Sequence, residues 1–369
     1  MTRKIKIVCL YQVIMHYRLP FYERINNDSD YDFKLIYGRG KKKSKLSNTN
    51  VGENINKTKL YDIRIPLPFS PTLIFHLIKE NPDIVFSEGS SSLINSSIAF
   101  IYSKLFNKKF IWWSLGKLKD KTYTGVRGLV NRWEHFIETH SDAIFTYSTQ
   151  GANYFKGRGV DSSKIFVAVN VFDTTAKLHE IEESNQEHYL DAKYFNIGFI
   201  GTIQKTKNLE LLIDVVNELN SIYKNFKLHI IGDGSYLSEL KRYSGENNNI
   251  VFHGRMNHGS SKILGNCDVF VLPGLGGLAI CEGMLNKLPI ITGNADGTEY
   301  DLVINGKNGY IIEDMNKSNL AERIEFLYNN RDILNEMKVN SFKMITEELS
   351  FDNYYSVFKS MIGKLTNDK

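Results

Sequence analysis

Cysteine is scarce: Cys9, Cys267 and Cys281 are the three in 369 residues. An odd count with no CxxC pair argues against a disulfide framework and a structural zinc site, and fits a reducing compartment such as the cytoplasm. Each cysteine lies in an apolar run, where a thiol packs as a small hydrophobe. No apolar stretch reaches the roughly eighteen residues that a membrane-spanning helix needs. The opening MTRKIKIVCLYQ has an apolar run too short for a secretory signal core and reads as a buried first strand. Glycine repeats and heptads are absent, which excludes collagen and coiled coil. No D-x-D stands at a strand end in a context that would hold a metal, so none is expected.

What is present is a globular composition, with 42% apolar and 24% charged residues, enough to bury sizeable cores. The length suits two domains. Charge is uneven. Residues 1–185 hold 27 Lys and Arg against 18 Asp and Glu, whereas residues 186–369 hold 19 against 23. The densest basic run is Arg39, Lys41, Lys42, Lys43 and Lys45. A basic half suits an anionic partner such as lipid headgroups, nucleic acid or a phosphorylated substrate, although a solvated loop explains the run equally well.

Short β-rich runs alternate with amphipathic stretches. In the first half the strands are expected at Lys4–Leu10, Asp32–Tyr37, Asp83–Phe86, Phe110–Trp113, Ala143–Thr146 and Ile165–Val169. Helices are expected at Pro71–Glu80, Ser91–Phe106 and Arg127–His140. Residues Asp173–Lys193 are polar and aperiodic, and read as a linker. Alternation then resumes through strands at Asn196–Ile200, Lys227–Ile231, Ile250–His253, Val269–Leu272, Pro289–Thr292 and Gly309–Ile312. The end of the chain is helical by period. The pattern predicts an α/β protein with parallel sheets, whose ligands bind outside the carboxyl ends of the strands.

Chemistry concentrates at strand ends in the second half. After the strand ending at Leu272 come Pro273, Gly274, Gly276 and Gly277, then a helix from Leu278. Glycines allow close backbone approach, and a helix N-terminus offers free N–H groups, so this is a candidate diphosphate site. Glu282, one turn in, suits a ribose diol better than a phosphate. The alternative is a tight turn with an exposed glutamate. Gly201 and Thr202 end another strand, and Lys205 and Lys207 follow. A lysine there reaches a phosphate or is simply solvated. Gly232-Asp233-Gly234 is half a dinucleotide fingerprint and weak by itself. Phe252–Met256 ends another strand, where Arg255 and Met256 are placed to meet a base.

In this order the motifs resemble glycosyltransferase family 4. The resemblance rests on Gly201 with Lys207, Gly232-Asp233-Gly234, Phe252-His253-Gly254, Pro273-Gly274, Glu282, Leu288-Pro289 and Asn308-Gly309. It is weaker in the first half, through His16–Ile25, Ile111–Gly116 and Thr146–Gly151. It implies the GT-B fold, two Rossmann-like domains with parallel sheets facing across a cleft: residues 1–172 binding acceptor, a linker 173–193, residues 194–345 binding donor, and a C-terminal helix 346–369 returning to the first domain. It further implies retaining transfer of a sugar from a UDP- or GDP-sugar to a glycan or lipid-linked acceptor, with no added cofactor or metal. Lys207 and Glu282 are then the catalytic residues. Gly201, Thr202, Gly232, Arg255, Met256, Pro273, Gly274, Gly276, Gly277 and Leu278 line the donor. His16, Tyr17, Arg18, Glu88 and Ser114 meet the acceptor, with Ser90 as a further candidate; equally, Tyr17 and Leu19 cap the core while His16 and Arg18 are ordinary surface residues. Trp112 and Trp113 are expected in the core rather than on a sugar.

Three positions depart from the family. Thr202 stands where an arginine is usual, Gly274 where many relatives carry a first glutamate, and Leu115 where some carry histidine. The first two resemble a branch with Pro-Gly and Gly-Leu in the donor loop. A non-catalytic nucleotide-binding partner therefore stays open, as does, less strongly, an epimerase. A nucleic-acid binder has no recognised motif behind it. The implied setting is surface polysaccharide assembly at the cytoplasmic face of a membrane, reached through the basic first half.

Overall fold

The computed structural model describes residues 3–38, 51–64, 68–89, 92–116, 124–175, 177–178, 181, 189–256 and 258–367. The basic run 39–45 and Ser90 lie outside them. The chain divides into two compact units, Met1–Phe172 with Tyr354–Lys369, and Asp173–Asn353.

The first unit is built on a seven-stranded sheet in the order β3-β2-β1-β6-β7-β8-β9. Its strands are β1 (Ile5–Tyr11), β2 (Tyr31–Tyr37), β3 (Lys57–Lys59), β6 (Ile84–Glu88), β7 (Lys109–Trp113), β8 (Ala143–Thr146) and β9 (Ile165–Val167). All pair in parallel, which requires crossover connections. Strands β4 (Ile63–Arg64) and β5 (Pro68–Phe69) form a separate antiparallel pair. The helices are α1 (Leu19–Asn27), α2 (Leu73–Glu80), α3 (Leu93–Leu105), α4 (Gly125–His140) and α5 (Thr149–Gly157). Pro20 opens α1, where its missing N–H is harmless. Right-handed crossovers place α2 to α5 on one face. There Leu73, Leu77, Phe100, Ile137 and Phe155 bury Val8, Val85, Phe110, Trp112 and Ile144. The returning segment Tyr354–Lys369 packs an aromatic cluster, with the Phe358 ring 5.3 Å from Phe21 and 5.8 Å from Phe86.

The second unit has a six-stranded parallel sheet in the order β12-β11-β10-β13-β14-β15. Its strands are β10 (Phe195–Ile200), β11 (Phe226–Ile231), β12 (Ile250–Gly254), β13 (Val269–Leu272), β14 (Ile290–Gly293) and β15 (Gly309–Ile312). Its helices are α6 (Leu209–Ile222), α7 (Leu237–Ser244), α8 (Ser260–Leu264), α9 (Leu278–Leu285), α10 (Glu299–Leu302), α11 (Lys317–Asn329) and α12 (Arg331–Lys343). Helix α13 (Phe351–Asn367) ends the chain. The segment read as a linker begins this unit: Thr174 and Ile181 are buried. Among the described residues, no helix is long and apolar enough to cross a membrane.

Candidate functional site

In the second sheet the strand order reverses between β10 and β13, and such switch points are where open α/β sheets bind ligands. The ends of β10, β11 and β12 are knitted together beside this switch point. Gly201 N–H donates to Ile231 O at 3.0 Å, Gly232 N–H to Gly254 O at 2.8 Å, and Ile203 N–H to Asp233 O at 3.0 Å. Gly232 has φ +144°, and a Cβ on it would collide with the Gly201 carbonyl. Thr202 is exposed beside this contact.

A 3-10 turn, Lys205–Lys207, leads through Asn208 in left-handed conformation into α6. The glycine loop after β13 closes on this turn, with Leu275 N–H donating to Thr206 O at 3.1 Å. A Cβ on Gly274 would strike the Thr206 carbonyl and the Lys207 backbone. The departure at Gly274 thus has a steric reason: no side chain fits there. The Lys207 ammonium donates to the Leu275 carbonyl, and a Cβ on Gly276 would collide with Nζ. Burial pushes the Lys207 pKa down, and the Asp296 carboxylate opposes that shift. Lys207 therefore projects into the loop formed by Pro273, Gly274, Gly276, Gly277 and Leu278, at the N-terminus of α9. That end of a helix attracts anions.

The loop after β14 borders Gly277 through Thr298 and Asp296. It is held by buried Glu299, whose carboxylate accepts N–H groups of Ala295 (2.6 Å), Asp296 (3.2 Å) and Gly297 (3.0 Å). Glu282 follows Leu278 by about 6 Å along α9. Its Oε2 lies 3.7 Å from Lys177 Nζ, which also donates to Ser260 Oγ at 3.1 Å. Arg255 and Met256 follow edge strand β12, two strands from β10. The structure thus gathers Gly201, Thr202, Lys207, Gly232 and the 273–278 loop, and sets Arg255 and Met256 on the flank.

In the first unit, exposed His16, half-buried Tyr17 and buried Arg18 form a 3-10 turn beyond β1. The Arg18 guanidinium is caged by rings, 4.7 Å from Tyr147, 4.8 Å from Trp113 and 5.2 Å from Tyr17. It donates to the Tyr354 hydroxyl at 3.0 Å. Among the described residues no carboxylate forms an ion pair with it. Glu88 ends β6 and accepts Gln12 N–H at 2.6 Å. Ser114 follows β7 and accepts Gly116 N–H at 3.2 Å. Trp112 and Trp113 are buried.

Sequence reasoning missed Lys177, Glu299, Tyr147 and Tyr354. Lys177 lay in the supposed linker. Glu299 follows a Gly-Thr pair after a strand, a signal of a capped loop that went unused. Tyr147 lies within the Thr146–Gly151 motif, which points to no contact with Arg18, and Tyr354 carries no motif; tertiary packing brings both to Arg18.

Residues 180–344 match the family model of the glycosyl transferases group 1. An uncharacterized glycosyltransferase of Methanocaldococcus jannaschii is 29% identical over 235 residues, covering 59% of this chain and 65% of that protein, just under two thirds of its length. The capsular polysaccharide biosynthesis glycosyltransferase CapM of Staphylococcus aureus is 25% identical over 321 residues, covering 78% of each. The crystal structure of HepE from Anabaena, in complex with UDP, superposes with a TM-score of 0.76 at 16% identity, over 98% of this chain and 100% of that one. The fold is GT-B, two Rossmann-like α/β domains with parallel sheets. The sequence matches support a glycosyltransferase with that fold.

Proposed function

We propose that the protein is a retaining glycosyltransferase of the family 4 type, which moves a sugar from a nucleoside-diphosphate donor to a hydroxyl of a glycan or lipid-linked acceptor in surface polysaccharide assembly. The observation that carries this reading is Lys207, an ammonium bonded into a glycine loop at a helix N-terminus, at the switch point of the sheet. CapM, with its role in capsule biosynthesis, and HepE, with UDP or UDP-glucose bound, support the same direction.

The bond between the anomeric carbon and the diphosphate oxygen breaks as negative charge grows on the leaving group. Lys207 and the first N–H groups of α9 stabilise that charge without a divalent cation. Glu282 accepts hydrogen bonds from the ribose diol, with Lys177 holding its carboxylate. Arg255 and Met256 flank a uracil or guanine base. The acceptor oxygen bonds to the anomeric carbon on the face the diphosphate leaves, and its proton passes to the departing phosphate oxygen. Arg18, a buried cation with no ion-pair partner among the described residues, suits an acidic acceptor group, and His16, Tyr17, Glu88 and Ser114 lie at or beyond strand ends of the same unit. An acceptor carried on a lipid brings the enzyme to the cytoplasmic face of a membrane.

A panel of UDP- and GDP-sugars tests this by thermal stabilisation and donor hydrolysis, in wild type, Lys207→Ala and Glu282→Ala. One donor should stabilise and be turned over by wild type alone. Binding without turnover under any acceptor would favour a non-catalytic nucleotide binder, the reading that Thr202 and Gly274 suggest.

A further inference from the structure

The outer face of α2, α3 and α4 carries an unusual set of large apolar side chains. Leu105 is 76% exposed, Val126 77%, Phe75 69% and Leu129 64%, with Ile78 and Phe106 each about half exposed at 51%. Helix α2 packs on α3 and α3 on α4, so these residues stud one helical layer. Isolated exposed hydrophobes need no explanation, but a cluster on one face of a domain marks an interaction surface.

Charge says what that surface meets. In α4 the two glutamates are turned inward, Glu134 and Glu138 being 3% and 2% exposed, and Glu138 binds Arg158 at 3.1 Å. Its arginines, Arg127 and Arg132, face solvent beside Val126 and Leu129. Helix α3 contains no acidic residue, and α2 contributes only Glu80, paired with Lys6 at 3.0 Å. Lys79 is exposed, and Lys104 is exposed with its ammonium 3.0 Å from the Asp142 carboxylate. An ordinary surface helix exposes carboxylates and buries aliphatics; here the solvent face of α4 is aliphatic and cationic.

We propose that the α2–α3–α4 face docks on an anionic lipid bilayer, its aliphatic and aromatic side chains entering the headgroup boundary and its arginines and lysines pairing with acidic headgroups. This deepens the lipid-linked acceptor reading, on which it rests for its purpose. It assigns the lipid contact to folded helices instead of the 39–45 run.

Flotation of the full chain with phosphatidylcholine vesicles, with and without phosphatidylglycerol, tests the surface in the absence of donor and acceptor. Failure of the transferase reading therefore leaves this measurement intact, and the converse holds. Binding should require phosphatidylglycerol, weaken with salt, and fall about tenfold or more in Val126→Glu/Leu129→Glu and in Arg127→Glu/Arg132→Glu. Val339→Glu, at an aliphatic 66% exposed on α12 in the other unit, should bind like wild type. A wild-type melting temperature and far-UV circular dichroism spectrum, kept in every variant without any nucleotide, show that each is folded. No binding to acidic vesicles, equal loss in Val339→Glu, or a concentration-dependent dimer dissolved by the α4 variants would overturn the proposal.

Discussion

Lys177 Nζ lies 3.7 Å from Glu282 Oε2, and both side chains are about four-fifths shielded from solvent. The lysine comes from a polar segment and the glutamate from a helix over a hundred residues later. Lys177 is thus a positioning residue for the carboxylate assigned to the ribose. Lys177→Met should raise the donor KM about tenfold with little change in kcat, since the interaction is made equally in ground and transition states. Lys177→Arg should recover part of the loss. A fall in kcat alone would contradict the assignment, and steady-state kinetics on the identified donor decide it.

Gly232 lets the loops after β10 and β11 touch. A Cβ there meets the Gly201 carbonyl, and the residue holds φ +144°. Gly232→Ala should cost about 2–3 kcal/mol by denaturant unfolding. Gly157→Ala, where a Cβ meets nothing within 4 Å, should be neutral within about 0.5 kcal/mol.

The sheets were legible because most of the parallel strands are apolar runs ended by glycine or a polar turn, as at Ile197–Gly201 and Val269–Gly274. The donor loops were legible for the same reason: glycines mark where backbones touch. What stayed hidden is long-range. The 173–193 segment reads as a linker because its polar residues do not show that Thr174 and Ile181 are buried or that Lys177 reaches Ser260. The sequence does not show that Arg18 is buried, because the rings around it come from β7, the residue after β8, and the chain end. Short β3 and β5 have too few residues for a period to emerge.

His229 on β11 hydrogen-bonds through Nδ1 to His253 at 3.1 Å and through Nε2 to Asn196 at 3.0 Å. Burial, then the neighbouring His253 and Lys227, lower its pKa to about 4 from the ordinary 6.5. Below 6.5 the unfolded chain takes up a proton that the folded one refuses. Stability is therefore full above that value and declines as pH falls from 6.5 toward 4. Urea unfolding across this window should show a decline that His229→Gln flattens. An unchanged slope in the variant would assign the decline to other groups.

Arg18 has aromatic faces and a tyrosine hydroxyl around it, and among the described residues no carboxylate forms an ion pair with it. An apolar side chain of similar volume at this position removes the desolvation cost of the buried charge, which offsets the loss of its hydrogen bond and ring contacts. Arg18→Met should keep the melting temperature within about 4 °C of wild type, leave donor hydrolysis intact, and lower the ratio of transfer to hydrolysis. Arg18→Lys should not restore that ratio, because lysine lacks the planar stacking group. A large loss of melting temperature with an unchanged ratio would make Arg18 purely structural.

The central claim is that Lys207 and the 273–278 loop hold a diphosphate. Burial lowers the Lys207 pKa in the free protein, and a bound diphosphate raises it again. Affinity should therefore decline as pH rises through the Lys207 titration, which begins below the ordinary lysine range. The most direct measurement is calorimetric titration of wild type and Lys207→Ala with UDP and GDP and the corresponding nucleosides. The account predicts that one diphosphate binds wild type about tenfold or more tightly than its nucleoside, and that Lys207→Ala abolishes this preference. Equal affinity for diphosphate and nucleoside in wild type, or a preference that survives in Lys207→Ala, would contradict it.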